Sequence, residues 1–132
     1  MIQSILVAKL VYLFLKNNEE LNKYVKGRVF PIVAELGTEF PYVAYSRTSI
    51  TPIYTKDYHT EDSVGVEIVV ASQDYLESLE IANIIRKQFE CKKLGLDNEL
   101  TISQAYLTSV TEAFDDIANA YVQRLSFDFR IS

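Results

Sequence analysis

The sequence predicts an α+β fold, a mainly antiparallel sheet of about four to five strands with two to three helices packed on one face. Three observations carry that expectation. From about Asp74 to Cys91, the residues Tyr75, Leu79, Ala82, Ile85 and Phe89 recur at spacings of three and four, the period of a helix with one buried side. From Tyr121 to Ile131, Leu125, Phe127, Phe129 and Ile131 alternate with Arg124, Ser126, Asp128 and Arg130, the period of a strand with one face buried and the other on water or a partner. The order along the chain is helix, helix, strands, helix, strands, with no internal repeat or linker, so residues 1–132 read as one domain.

Each element has its own local reason. A first helix is expected from about Ile2 to Lys16, with Ile2, Leu6, Leu10, Leu13 and Phe14 on one side. Val7, Val11 and Tyr12 fall on other faces, so this helix calls for two packing partners. One is the sheet; the other is either a neighbouring subunit or a second helix of the same chain. A short helix follows, with Asn18 as its cap, Glu19 and Glu20 in the first turn and Gly27 just past the end. Arg28–Pro31 and Pro41–Tyr45 read as strands whose prolines suit an edge or a strand start. The stretch Thr48–Asp62 reads as a loop or a protruding hairpin, with a turn at Lys56–Asp57. Val64, Val66, Ile68 and Val70 then alternate with Gly65, Glu67 and Val69 as a further strand.

In the long helix Asp74 caps the start with Glu77 three residues on, Arg86 and Lys87 approach the negative end, and Gly95 lies in the connection beyond. The last third gives two strands, about Leu100–Val110 and Tyr121–Ile131, joined by the acidic segment at Phe114-Asp115-Asp116.

Composition bounds the function. Of the 132 residues 48% are apolar and sixteen are Tyr or Phe, enough for one core without help from disulfides. Thirteen basic residues against eighteen acidic ones give a net charge of −5, the wrong sign for a protein that grips nucleic acid. The single cysteine, Cys91, excludes an internal disulfide and a cysteine cluster for zinc. The apolar run Ile5–Leu15 has no positive side chain before it and is followed by Lys16-Asn17-Asn18-Glu19-Glu20, so it does not read as an export signal. It is also too short to span a bilayer as a helix.

The chemistry that an enzyme needs is hard to assemble. The one histidine, His59, sits in the Tyr58-His59-Thr60 stretch, and nothing in the sequence marks a nucleophile for it to serve. Four scattered glycines build neither a phosphate loop nor a dinucleotide fingerprint. The acidic pairs Glu19-Glu20, Glu61-Asp62 and Asp115-Asp116 are adjacent in sequence, which splays them apart on a helix or strand. No catalytic residue, cofactor or metal is expected. Tyr42, Tyr45, Tyr54 and Tyr58 flank one loop, as contact residues for another protein or as half-buried sheet packing.

Gly27-Arg28-Val29-Phe30-Pro31 looks like a "G-R-V-Y-P" motif, and Phe40-Pro41-Tyr42-Val43-Ala44-Tyr45 looks like a "P-Y-V-V-Y" strand. The Val66–Val70 strand leads into Asp74-Tyr75 and a helix with Ala82, Ile85 and Arg86, similar to a "Y-x-E-A" helix, and the Tyr121–Phe127 strand closes the series. In that order these segments resemble the siphophage tail-completion family, the head–tail joining or tail-terminator subunits of phages and prophages. The resemblance implies a non-enzymatic structural subunit that forms a hexameric ring with itself, ends the tail tube and meets a head connector protein. Its partners would then be the tail tube protein and the head connector, with no specific nucleic acid and no membrane, in the host cytoplasm during assembly and afterwards in the virion tail. Tyr54, Lys56, Tyr58 and His59 are the candidate subunit contacts, chosen by their place in the loop and not by a family motif. The alternative is a cytoplasmic small-molecule or peptide-binding domain whose Tyr-rich region lines a pocket.

Overall fold

The computed structural model describes residues 4–54, 59–90, 94–96 and 100–131. Ser4–Leu6 form a 3-10 turn that runs into α1 (Val7–Lys16), and α2 (Glu19–Val25) follows at once. Asn18 starts α2 as its sequence position predicts, its side-chain oxygen accepting the Leu21 N–H at 3.0 Å. Lys26 (φ 50°) and Gly27 (φ 79°) end it in the left-handed region.

The face α1 buries is not the expected one. Val7, Leu10, Val11 and Leu15 are buried, whereas Leu6 is 42% exposed, Leu13 and Phe14 are half-buried, and Ile2 lies outside the described residues. A helix apolar on every side carries no phase of its own, so the sheet beneath it chooses. The tighter 3-10 turn also shifts the phase before Val7.

Among the described residues the sheet has six strands, β1 (Val29–Pro31), β2 (Tyr42–Tyr54), β3 (His59–Ser72), β4 (Leu94–Leu96), β5 (Leu100–Asp115) and β6 (Ala120–Ile131), in the order β1-β2-β3-β6-β5-β4. Four are long and two are three-residue strands at the edges. Among the described residues only β1–β2 is a parallel pair; the others are antiparallel. The class is therefore α+β with three α-helices, as the element order predicts.

Thr48–Asp62 takes the hairpin form of the two expected: β2 runs on to Tyr54 opposite His59, and residues 55–58, which include the expected Lys56–Asp57 turn, lie outside the described residues. A bulge interrupts β2 between Arg47 and Ser49 and brings Ser49 opposite Gly65. A Cβ on Gly65 would collide with Thr48 Oγ1 and come within 2.9 Å of Ser49 Oγ, so the absent side chain makes room for the bulge. β5 is longer than the sequence suggests and carries Phe114 and Asp115 in the strand. Gly95 belongs to β4 and not to a plain connection.

α3 (Tyr75–Phe89) buries Ser78, Ile81, Ala82, Ile84, Ile85 and Phe89. Tyr75 and Leu79, expected on the core stripe, are each 38% exposed, because the first turns of α3 lie towards the end of the sheet where Tyr75 meets Tyr121. Asp74 caps this helix by accepting the Leu76 N–H at 3.1 Å. Glu77 does not close a capping box. It accepts from Ser72 Oγ at 2.7 Å, and Ser72 Oγ in turn accepts the Asp74 N–H at 3.0 Å.

All three helices belong to one side of the sheet. There Val64, Val66, Ile68 and Val70 of β3 and Leu125, Phe127, Phe129 and Ile131 of β6 meet Val7, Leu10 and Leu15 of α1 and Ile81, Ile85 and Phe89 of α3 in one cluster. The Phe89 ring lies 5.8 Å from Phe127, 5.9 Å from Phe129 and 6.4 Å from Phe14, which ties both helices to the central strand. Among the described residues no helix is long and apolar enough to cross a bilayer.

Phe89→Ala removes a fully buried ring and is expected to cost about 3–5 kcal/mol. Leu76→Ala, at a residue 67% exposed, is expected to change stability by about 0.5 kcal/mol or less. Urea denaturation midpoints of the two variants measure both effects.

Candidate functional site

Two hairpins extend the sheet past its central ladder, at opposite ends. β3 and β6 pair from Asp62↔Ile131 to Ser72↔Tyr121; the β2–β3 hairpin continues past the first pair and the β5–β6 hairpin past the second. These outer parts have lost the helix layer and so carry exposed side chains.

At the β2–β3 end Tyr54 is 69% exposed on the last residue of β2, with His59 opposite it in the ladder. Those two candidate contacts are thus brought together by backbone pairing. Lys56, Tyr58 and the side chain of His59 lie outside the described residues. The other tyrosines of the Tyr-rich region serve packing: Tyr45 is buried 6.1 Å from Tyr12, and Tyr42 packs 5.4 Å from Phe40 and 6.2 Å from Phe30. Burial raises the phenol pKa of both, with Asp115 adding to the effect on Tyr42 and Tyr12 to that on Tyr45.

The β5–β6 end was not singled out by sequence. Ile117 is 99% exposed and Phe114 46% exposed. Phe114 packs edge-on against Tyr121 at 5.0 Å, and Tyr121 in turn lies 5.3 Å from Tyr75. The turn is built by Asp115, whose Oδ1 accepts the Ile117 N–H at 3.0 Å and the Ala118 N–H at 3.1 Å. A signal was present: an isoleucine inside an acidic turn has no local reason to be apolar.

The sheet face away from the helices carries matched charges. Arg124 meets Glu67 at 3.4 Å, and Arg130 meets Asp128 at 3.0 Å and Glu61 at 3.5 Å. Ser63 Oγ donates to Asp128 Oδ1 at 2.5 Å. Asp128 and then Glu61 raise the Arg130 pKa further above its usual value. The pair Glu61-Asp62 splays as expected: Glu61 joins that face, whereas Asp62 is buried on the helix side and accepts from Ser4 Oγ at 2.5 Å. Among the described residues no group of three or more His, Cys, Asp or Glu side chains could hold a metal ion.

Among the concavities that the described residues form, one of about 270 Å³ lies at the base of the β5–β6 tip, between Tyr75, Glu112, Phe114 and Tyr121, and two flank the core. One, of about 330 Å³, lies between α1, β1 and β2 and is lined by Ala8, Lys9, Tyr12, Pro31, Ile32, Tyr45, Ser46 and Arg47. The other, of about 200 Å³, lies between α3 and the strands β5 and β6, with Leu79, Arg86 and Val110 in its wall. The first lining is mostly apolar with the cations Lys9 and Arg47, whereas the second sets Asn83, Arg86 and Gln123 among apolar residues.

No family model matches the chain, and no curated protein matches it in sequence. Among solved structures it is similar to a chain of the virion of a native gene transfer agent particle, with a TM-score of 0.78 and 15% identity over 92% of this chain and 90% of that chain. What the two share is the fold.

The hydrogen bond from Tyr75 Oη to Glu112 Oε2, 3.0 Å, fixes the base of the β5–β6 tip and raises the Tyr75 pKa. A raised phenol pKa means that the folded state holds the proton more tightly. The resulting stabilisation is fully present below the unfolded tyrosine pKa and is lost as pH rises through the folded one. Glu112→Gln is expected to lower the Tyr75 pKa towards the ordinary value, and NMR titration of the Tyr75 ring carbons checks this.

Proposed function

We propose that this chain is a non-enzymatic structural subunit of a phage or prophage tail, forming a ring at the head-proximal end that terminates the tail tube and joins it to the head connector. The observation that carries the reading is the likeness of fold to a virion chain over about nine-tenths of both molecules. Its partners are then a second copy of itself, the tail tube protein and the head connector, and its place is the host cytoplasm during assembly and the virion tail afterwards.

Local structure gives the resemblance a physical content. The segment Gly27–Pro31 and the segment Phe40–Tyr45 form the parallel pair β1–β2, with Val29↔Val43, Phe30↔Ala44 and Pro31↔Tyr45 in register. Arg28 binds the second segment directly, its guanidinium donating to the Pro41 carbonyl at 2.9 Å and the Phe40 carbonyl at 3.3 Å. The two motifs therefore read as halves of one structural unit.

A ring asks for contact surfaces and rigidity, not for an activated group. The extended hairpins provide the surfaces and the sheet provides the rigidity. In this reading Tyr54, Lys56, Tyr58 and His59 are subunit contacts, of which Tyr54 and His59 are paired at the end of β2 and the start of β3. A net charge of −5 suits a wall past which DNA moves, because carboxylates repel phosphate.

A second reading, a small-molecule or peptide-binding domain, draws on the α1–β1–β2 concavity, which Tyr12 and Tyr45 line and whose 330 Å³ falls within the range of ligand sites. A ligand retained through purification and identified by mass spectrometry would favour it.

Deleting the gene from its inducible parent prophage is expected to leave filled heads beside unattached or abnormally long tails in electron micrographs, with rescue by the supplied protein. Normal infectious particles would contradict the reading. Tyr58→Ala, or removal of residues 56–59, is expected to preserve the circular dichroism spectrum and to reduce the yield of joined particles; an undiminished yield would remove the β2–β3 hairpin from the contact surface.

A further inference from the structure

Two features towards opposite edges of the sheet complement each other. At the β5–β6 tip a fully exposed Ile117 stands beside Asp115 and Asp116, with Glu112 and the half-exposed Phe114 close behind on β5. Such a side chain, on a turn held by two Asp115 hydrogen bonds, is a presented apolar knob and not a frayed end.

The α1–β1–β2 concavity has the opposite character. Its lining is apolar at Ala8, Tyr12, Pro31 and Tyr45 and carries the cations Lys9 and Arg47, the latter donating to the Ile5 carbonyl at 3.0 Å. Ile5, 69% exposed, and Ile32, 78% exposed, extend the apolar area outward. Ile32 is held at φ 66°, a conformation costly for a β-branched residue, by its N–H bond to the Tyr45 carbonyl at 2.7 Å. The concavity also opens where β1 stops: β1 pairs with β2 only over Val43–Tyr45, and among the described residues no strand continues that edge from Ser46 onward.

Knob and concavity are carried by different hairpins, with the β3–β6 pair between β5 and β2. One chain cannot fill its own concavity with its own tip; a second copy can. We infer that Ile117 of one copy inserts into the α1–β1–β2 concavity of the next, with Asp115 and Asp116 of the first copy facing Lys9 and Arg47 of the second. Because the two patches differ, the contact is head-to-tail, and repetition of it gives a closed ring or an open filament according to the rotation per step. The inference rests on the ring reading of the proposed function and supplies its subunit interface. It uses the end of the sheet opposite to Tyr54 and His59.

The test uses the full chain with Cys91→Ser, so that the added thiols are the only ones. Ile117→Cys and Ile32→Cys are made as separate variants and as a double variant, and each is oxidised and sized on a non-reducing gel. The mixture of the two single variants is expected to give linked dimers containing one of each, distinguished by a mass tag, and the double variant a ladder of linked copies. In parallel, Ile117→Asp is expected to weaken self-association by roughly tenfold or more by analytical ultracentrifugation, with an unchanged circular dichroism spectrum, since the side chain is solvent-exposed. The charge reversal Asp116→Lys, which leaves the Asp115 turn intact, is expected to weaken it too and to recover when mixed with Lys9→Glu, Arg47→Glu protein. A chain that assembles as before with Ile117→Asp, and gives no mixed dimer, would overturn this interface and leave the ring standing on another. A chain that stays monomeric at millimolar concentration and gives no mixed dimer would overturn the interface, while the particle phenotype of the deletion would still decide the tail role separately.

Discussion

The antiparallel ladder between β3 and β6 sets the position of nearly everything else, because it joins two hairpins that are far apart in sequence. Its register, Val64↔Phe129, Val66↔Phe127, Ile68↔Leu125 and Val70↔Gln123, places one set of side chains from each strand under the helices. A slip of one residue would turn Glu67, Arg124, Asp128 and Arg130 towards the core and the aromatic set towards water. That penalty fixes the register, and with it the relative placement of the two hairpin tips. It also defines the helix side, onto which Phe89 and Leu10 pack.

Once the ladder is fixed, the outer strands have different freedoms. β2 and β5 are covered by helices only where they run beside the core, and beyond it their side chains have no interior to enter. The residues there are Thr, Ser, Glu and Tyr with occasional isolated apolar groups, and the apolar groups become informative because no described residue covers them. The helix-free face of the sheet is instead settled internally, through Arg124–Glu67 and the Arg130–Asp128–Glu61 group. Such exposed pairs add little stability but keep that face polar and flat. The molecule is thus a rigid centre with projecting ends, an arrangement suited to repeated contact between copies.

The parts legible in the sequence are those whose pattern has one buried and one exposed side. β6 alternated cleanly, and β3 did so from Val64 to Val70. Asn18 and Asp74 are caps because a short polar acceptor before a helix has few other uses. α1 failed the same test, since an all-round apolar helix has no preferred face and the sheet buried Val7, Val11 and Leu15 in place of Leu6. The outer halves of β2 and β5 were also understated, because a strand exposed on both sides has no alternation to show. The parallel pairing of β1 with β2 is a matter of topology and leaves no local mark. Of the candidate site, Tyr54 stands exposed at the end of β2, Tyr42 and Tyr45 turned out to be packing residues, and Ile117 was hidden by the acidic residues around it.

The central claim is that this fold sits in a tail-end ring of a virion. The most direct measurement is a cryo-electron microscopy map of the head–tail junction in particles purified from the induced parent prophage, at a resolution that resolves strands. The account predicts a ring of copies of this six-stranded fold at the head-proximal end of the tail tube, in contact with the head connector. A junction built entirely of other folds, or particles from which this chain is absent, would contradict it.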